Sequence, residues 1–358
     1  MKPIKELPPT RLQPPPRGRE TLVQLVSDLL RMPWEKVDWR HYLDDYQASQ
    51  WLPPTPLREL QLAKLRRLVW HCFLNVPWYG PRIDEHFRPS TIERLEGLAR
   101  IPIVRAADRG DEAPFVSITN EPVVEELRTG GSTGKARTVR LDADARERRT
   151  AVRLRVERWA GAPPGKLVAA WGRESAHAPR ALDGAEVNAL TIALKQVRGA
   201  VVSGPGPSLA QLASALKGAP VERSGLFGRL LGRGAASGVI VRGEDADEGG
   251  AQLAALLAAR LTRVYATAEV GMVAATCDRA PSDRAMHVQA DHVIVEILDG
   301  DGRVLPPGAT GRVYVTDLHN YAAPYLRYEL GDLGRLLPQP CACGRALPLV
   351  EIDGRGTH

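Results

Sequence analysis

The segment ELRTGGSTGKARTVRL, residues 126–141, sets Thr129, Gly130, Gly131, Ser132, Thr133, Gly134 and Lys135 side by side. Glycines let the backbone approach an anion closely, amides and hydroxyls donate to it, and a lysine offsets its charge. The chemistry these residue types can do is phosphate binding. A Walker A loop needs G-x-x-x-x-G-K-[ST] between a strand and a helix. Here Thr129 holds the first glycine position and Ala136 follows the lysine, so the magnesium-binding hydroxyl is missing. The continuation ARTVRL alternates small or polar with apolar residues, which predicts a strand rather than a helix start. The segment is expected to join two strands and wrap phosphate in a nest of N–H groups. Read alone, a Gly/Ser-rich surface turn remains its alternative. A second chemical signal is PCACGR, where Cys341 and Cys343 stand one residue apart. That spacing suits either a metal site or two buried thiols.

The elements that must position these residues follow from periodicity. In PLRELQLAKLRRLVWHCFL, Leu57, Leu60, Leu62, Leu65 and Leu68 recur with helical spacing. A further helix is expected over Thr91–Leu98, before an extended IPIV at 101–104. A long helix is expected from Asp142 to Trp159, its dense arginines on a solvated face or, alternatively, on an anion-binding one. KLVAAW, GAVVSG, GVIVRGED and RVYATAEVG read as strands, with SLAQLASAL and EGGAQLAALLAARL as helices among them and VERSGLFGRLLGRGAASG as a surface loop. This alternation implies an α/β class with a mostly parallel sheet covered by helices. From residue 287 onward, short β-rich runs joined by Gly and Pro turns imply a smaller, antiparallel and barrel-like region. The expected division is a Pro-rich lead-in over 1–20, an α/β core over 21–286 and a β-rich subdomain over 287–358.

Composition bounds the rest. With 358 residues and 44% hydrophobic content the chain can bury a sizeable core. Its net charge of +6, from 48 basic and 42 acidic residues, is spread along the sequence. No recognition helix or aromatic–basic interleaving accompanies it, which argues against nucleic acid as a partner. No run of about 18 apolar residues argues for a membrane span. MKPIKELPPT lacks the apolar stretch of a secretory signal, and four cysteines are too few for a disulfide scaffold. The reducing cytoplasm is the expected compartment.

Several stretches, in order, resemble one superfamily. The T-GGSTG-K loop resembles the phosphate loop of adenylate-forming enzymes. VYATAEVG (264–271) looks like their YG[ST][ST]E motif, LRYELGDLG (326–334) like RY.TGDL, and IDGR (352–355) like the GR at their interdomain hinge. RELQLAKLRRLVWHCFLNVPWYG, DLHNYAAPYLRYELGD and PCACGRALPLVEIDGR are similar to the phenylacetate–coenzyme A ligase-like branch.

The resemblance implies the adenylate-forming large-domain fold, ATP and Mg²⁺ as cofactors, and a carboxylic acid as substrate. The acid would be activated as an acyl-adenylate and passed to CoA, a carrier-protein thiol or an amine. Thr129, Ser132, Thr133 and Lys135 would hold the β- and γ-phosphates, with Gly130, Gly131 and Gly134 permitting close approach. Glu269 would hold Mg²⁺, making the implied catalytic set Glu269, Lys135 and Thr133. Asp332 and Arg355 would face the ribose, Tyr265 with Ala266 and Thr267 would line the nucleotide, and Gly243–Glu244 would lie near the base. Cys277 and His287, where related chains have EC and GLH, would complete a Cys₃His set with Cys341 and Cys343, a combination typical of structural Zn²⁺.

Two departures stand out. Ala268 replaces a hydroxyl residue just before the glutamate, and GPGPSL replaces TPSY. The similarity ends at GRGTH, ahead of the family's C-terminal lid and its lysine, which leaves open a lid supplied in trans, slow activity without one, or a vestigial nucleotide site. A catalytically impaired module that only binds is the alternative reading.

Overall fold

The computed structural model describes residues 38–83, 89–119, 122–128, 137–162, 167–169, 182–196, 199–218, 236–243 and 247–356. Helix α1 (Trp39–Ser49) starts where the Asp38 carboxylate accepts from the Arg40 and His41 amides. Helix α2 (Pro54–Asn75) opens on prolines and buries Leu57, Leu60, Leu62, Leu65 and Leu68, the leucines whose spacing predicts it. The helix expected over Thr91–Leu98 does not form. Two short 3₁₀ turns, Pro89–Thr91 and Leu95–Arg100, take its place. Arg94, extended at φ −140° and ψ 161°, separates them, and Arg66 Nε and Nη2 donate to the Ile92 carbonyl at 2.9 and 2.6 Å from α2. IPIV is extended as expected, with the Val104 amide donating to Arg327 and its carbonyl accepting from Glu329, both at 2.9 Å.

Strands β1 (Glu125–Arg128) and β2 (Thr138–Leu141) pair antiparallel, with Arg128 opposite Thr138. The glycine-rich segment thus leaves one strand and enters its neighbour, as the alternation in ARTVRL predicts. Helix α3 (Ala143–Trp159) follows. Asp142 caps it through the Ala145 amide at 2.8 Å, while its other oxygen takes the Tyr321 and Ala322 amides at 2.8 and 3.2 Å.

A ten-stranded sheet forms the body. Strands β3 (Leu167–Ala169), β4 (Ala200–Pro205), β5 (Ala236–Arg242) and β6 (Arg260–Thr267) run parallel. Helices α4 (Gly184–Gln196), α5 (Gly206–Gly218) and α6 (Asp247–Leu257) occur between them in the chain. The sheet continues antiparallel through β7 (Gly271–Ala275) and β8 (Met286–Val288). Then come β12 (Leu349–Arg355), β11 (Tyr328–Leu337), β10 (Gly311–Asp317) and, at the edge, β9 (Val293–Leu298). Alternating residues feed two cores. Val202, Val239 and Val241 pack with Leu209, Leu212, Leu253 and Leu257 of α5 and α6. Val201, Ile240 and Val264 join the larger core with Val156 and Trp159 of α3. Residues 219–235, which hold most of the loop expected at VERSGLFGRLLGRGAASG, lie outside the described residues. No described helix is long and apolar enough to cross a membrane.

The arginines of α3 are less solvated than their density predicts. Arg148 and Arg155 are buried, paired with Asp144 at 2.6 Å and Asp291 at 2.5 Å. Beside them Lys64 is buried, donating to the Asp291 carbonyl at 2.7 Å and lying 3.3 Å from His319 Nε2. Burial, then the Arg148 charge, pulls the Lys64 ammonium down to about 7. Between pH 7 and its ordinary value the unfolded chain carries a proton there that the folded chain lacks, so stability rises with pH across that window. The unfolding free energy is expected to climb by about 2 kcal/mol from pH 7 to 9, and Lys64→Met to flatten that climb. Urea titrations at the two pH values check it; an undiminished climb in the variant would assign the effect elsewhere.

Candidate active site

Three motifs distant in the sequence meet at one place. Tyr265, near the end of β6, donates its hydroxyl to Asp332 Oδ2 on β11. Three strands separate β6 from β11 in the hydrogen-bonded order, a span of about 19 Å in a flat sheet. Two side chains can touch across it only because the sheet curls. Asp332 also faces Arg355 across the β11–β12 ladder. Arg355 Nε lies 3.4 Å from Asp332 Oδ1, and its Nη1 donates to the Leu330 carbonyl at 2.8 Å. Gly331, at φ +84°, makes room: a Cβ there would stand 3.1 Å from Arg355 Nη1. Asp332 is buried and Arg355 exposed, so the pair joins the interior to the surface. Burial, then the Asp332 charge, holds the Tyr265 hydroxyl well above its ordinary value. It remains a donor at any working pH.

Strand β6 passes into β7 through the turn Ala268–Val270. Thr267 Oγ1 accepts from the Val270 amide at 3.3 Å and shapes the turn; Ala266 is exposed beside it. Glu269 is half-buried at the turn's centre, and among the described residues no hydrogen bond occupies its carboxylate. Arg149 of α3 donates to the Ala268 carbonyl at 2.9 Å and to the Glu269 carbonyl. Tyr328, at the start of β11, accepts from Arg137 Nη1. Burial, then the Glu269 carboxylate, pushes the Tyr328 hydroxyl up to about 12.

Thr129, Gly130, Gly131, Ser132, Thr133, Gly134 and Lys135 lie outside the described residues. Their neighbour Arg137, two positions past Lys135, is in place and binds the motif strand that carries Asp332. Gly243 follows β5 exposed at φ +102°, and Glu244 lies outside the described residues. Tyr265, Glu269, Asp332 and Arg355 are therefore brought together, with the flank of the glycine-rich segment joining through Tyr328. Arg137, Arg149 and Tyr328 have no assigned role in the sequence reading. Tyr328 stands inside a quoted motif, while the partners of both arginines lie more than a hundred residues away, with no local signal.

A second cluster lies on the antiparallel half. Cys277, His287, Cys341 and Cys343 present ligand atoms all within 4.8 Å of one another. Cys277 Sγ is 3.5 Å from Cys341 Sγ, and Cys343 Sγ is 3.3 Å from His287 Nε2. His287 Nδ1 lies 3.1 Å from the Leu347 carbonyl. A carbonyl only accepts, so Nδ1 carries the proton and Nε2 presents its lone pair to the cluster. Hydrogen bonding from Cys277 outweighs burial and pulls the Cys343 thiol far below its ordinary value, toward thiolate. This donor set fits a tetrahedral metal ion.

No family model matches the chain. A phenylacetate-coenzyme A ligase from Thermus thermophilus is 30% identical over 314 residues, spanning 82% of this chain and 69% of that protein. One from Escherichia coli is 27% identical over 319 residues, spanning 83% and 71%. An open conformation of 2-hydroxyisobutyryl-CoA ligase in complex with 2-HIB-AMP and CoA matches at a TM-score of 0.69. It covers 92% of this chain and 80% of that one at 20% identity, and so shares the fold. Fold, ordered motifs and sequence identity agree: the chain belongs to the phenylacetate–coenzyme A ligase family of adenylate-forming enzymes.

Proposed function

We propose that this protein activates a small carboxylic acid with ATP and passes the acyl group to coenzyme A. The reading rests on family membership and, in the molecule, on the convergence of VYATAEVG, LRYELGDLG and IDGR through the Tyr265–Asp332–Arg355 contacts. In the first step a carboxylate oxygen attacks the α-phosphorus and the bond to pyrophosphate breaks. Two anions must approach, so the site has to neutralise charge and hold both in line. Thr129, Ser132, Thr133 and Lys135 hold the β- and γ-phosphates, with backbone amides at Gly130, Gly131 and Gly134. Glu269 holds Mg²⁺, which when bound offsets the charge building on the polyphosphate.

Asp332 accepts from the ribose hydroxyls. Tyr265 and Arg355 aim its carboxylate, and both spare it from being buried alone. Ala266 and Thr267 line the nucleotide, and Gly243–Glu244 lie near the base. In the second step a thiolate attacks the acyl carbonyl and AMP leaves. The cluster of Cys277, His287, Cys341 and Cys343 holds a structural Zn²⁺, with no part in either step.

Acid-dependent ATP–pyrophosphate exchange tests this reading. Wild type is expected to exchange with at least one acid in a mixed pool. Lys135→Ala and Glu269→Gln are each expected to reduce the rate by about 100-fold or more. Absence of exchange with every acid in the pool, under conditions where ATP binds, would overturn the proposal.

A further inference from the structure

We propose that Arg149 is a positioning residue that aims Glu269, acting through the turn's backbone rather than through any substrate. The inference rests on the reading of Glu269 as the Mg²⁺ ligand. Three contacts carry it. Arg149 Nη1 donates to the Ala268 carbonyl at 2.9 Å, and Nη2 donates both to the Glu269 carbonyl and to Asp317 Oδ2 at 3.1 Å. Holding two consecutive carbonyls fixes two successive peptide planes. The direction of the Cα–Cβ bond at Glu269 is then set before any cation arrives. A planar guanidinium can span these acceptors together; an ammonium is a single point of charge.

The anchor behind the clamp is rigid. The Asp317 side chain is fully buried. Its Oδ1 accepts from the His319 amide at 3.0 Å, and its own amide donates to the Tyr325 carbonyl at 2.9 Å. The Tyr325 ring packs edge-on against Tyr328, centroids 5.0 Å apart, and Tyr328 binds Arg137 beside the glycine-rich segment. One continuous set of contacts therefore relates the Glu269 turn to the flank of the phosphate loop. Gly271 completes the fit. At φ +73° it lets the Arg149 stem pass, since a Cβ there would lie 3.3 Å from the arginine's Cγ and Cδ. Arg149 leaves the Glu269 carboxylate itself unengaged, which a residue serving only as that carboxylate's ion-pair partner would not do.

The test is the Mg²⁺ dependence of acid-dependent ATP–pyrophosphate exchange in Arg149→Lys, with Glu269→Gln alongside. Lysine keeps a positive charge against Asp317, so the variant is expected to fold, with a thermal midpoint close to wild type. It is expected to need about 10-fold more Mg²⁺ for half-maximal rate, the scale seen when a group orienting a metal ligand is lost. The KM for ATP at saturating Mg²⁺ is expected to stay within about 2-fold of wild type, because the phosphate loop is untouched. Arg149→Met is expected to shift the Mg²⁺ requirement further. An unchanged Mg²⁺ requirement in Arg149→Lys, with Glu269→Gln strongly impaired, would overturn the positioning role and leave the function standing. A wild-type Mg²⁺ response in Glu269→Gln would instead remove the underlying reading, and this proposal with it.

Discussion

Replacing Cys343 with serine is expected to abolish tight zinc binding and lower the thermal midpoint by about 10 °C or more. The four donors come from separate places. Cys277 lies just past β7, His287 on β8, and Cys341 and Cys343 in the turn between β11 and β12. The Zn²⁺ proposed for this site would bind these segments at one point, and its binding energy would be folding energy because the unfolded chain has no such site. Serine keeps the volume of cysteine but offers no thiolate, leaving three donors and a partly buried hydroxyl. Zinc content per chain and melting with and without a strong chelator check the prediction. Metal-free wild-type protein that melts at the same temperature as untreated protein would remove the metal from the account.

Asp291→Ala is expected to cost about 3–5 kcal/mol of stability, because it leaves buried cations uncompensated. The Asp291 carboxylate accepts from Arg155 Nη1 at 2.5 Å and Nη2 at 2.8 Å, and from the Ser49 hydroxyl. Both partners of the ion pair are fully buried. Burial acts to raise the Asp291 carboxyl, but the Arg155 charge and hydrogen bonds outweigh it and hold the group below its ordinary value. A carboxyl depressed in the folded state contributes stability above its unfolded pKa and loses it as pH falls through the folded one. Acid should therefore erase much of the difference between wild type and the variant. The double replacement Asp291→Ala with Arg155→Met is expected to recover part of the loss, since neither charge is then stranded. Urea denaturation of the three proteins measures this. A cost under about 1 kcal/mol for Asp291→Ala would mean that water reaches the pair.

The parts of this molecule that were legible in the sequence are those governed by local rules. Leucine spacing marks α2, apolar runs mark the parallel strands, and the alternation in ARTVRL marks β2. Tyr265, Asp332 and Arg355 were legible as motif residues, although the curl that lets them touch is a property of the whole sheet. Arg148 and Arg155 were not legible as buried groups. In sequence a helix dense in arginine looks solvated, and Arg155's partner lies 136 positions away. Nor did the sequence disclose the break near Thr91, where Arg94 is extended and the Ile92 carbonyl is held from α2 by Arg66, 26 positions away. His292 and His319 illustrate the same limit. They stack at 5.3 Å inside the protein, held neutral by burial, and nothing in their local context announces it.

The junction between the parallel and antiparallel strands has a mechanical consequence. Val264 and Tyr265 of β6 pair with Ala275 and Ala274 of β7, and Ala274 and Ala275 pair onward with Val288 and His287 of β8. The backbone ladder crosses from one half to the other, with a register shift between Tyr265 and Ala266, so neither half can swing as an independent rigid body unless those pairings break. Whatever motion turnover demands must then be carried by the segments leaving the strand ends, while the frame that carries Glu269 and Asp332 stays still.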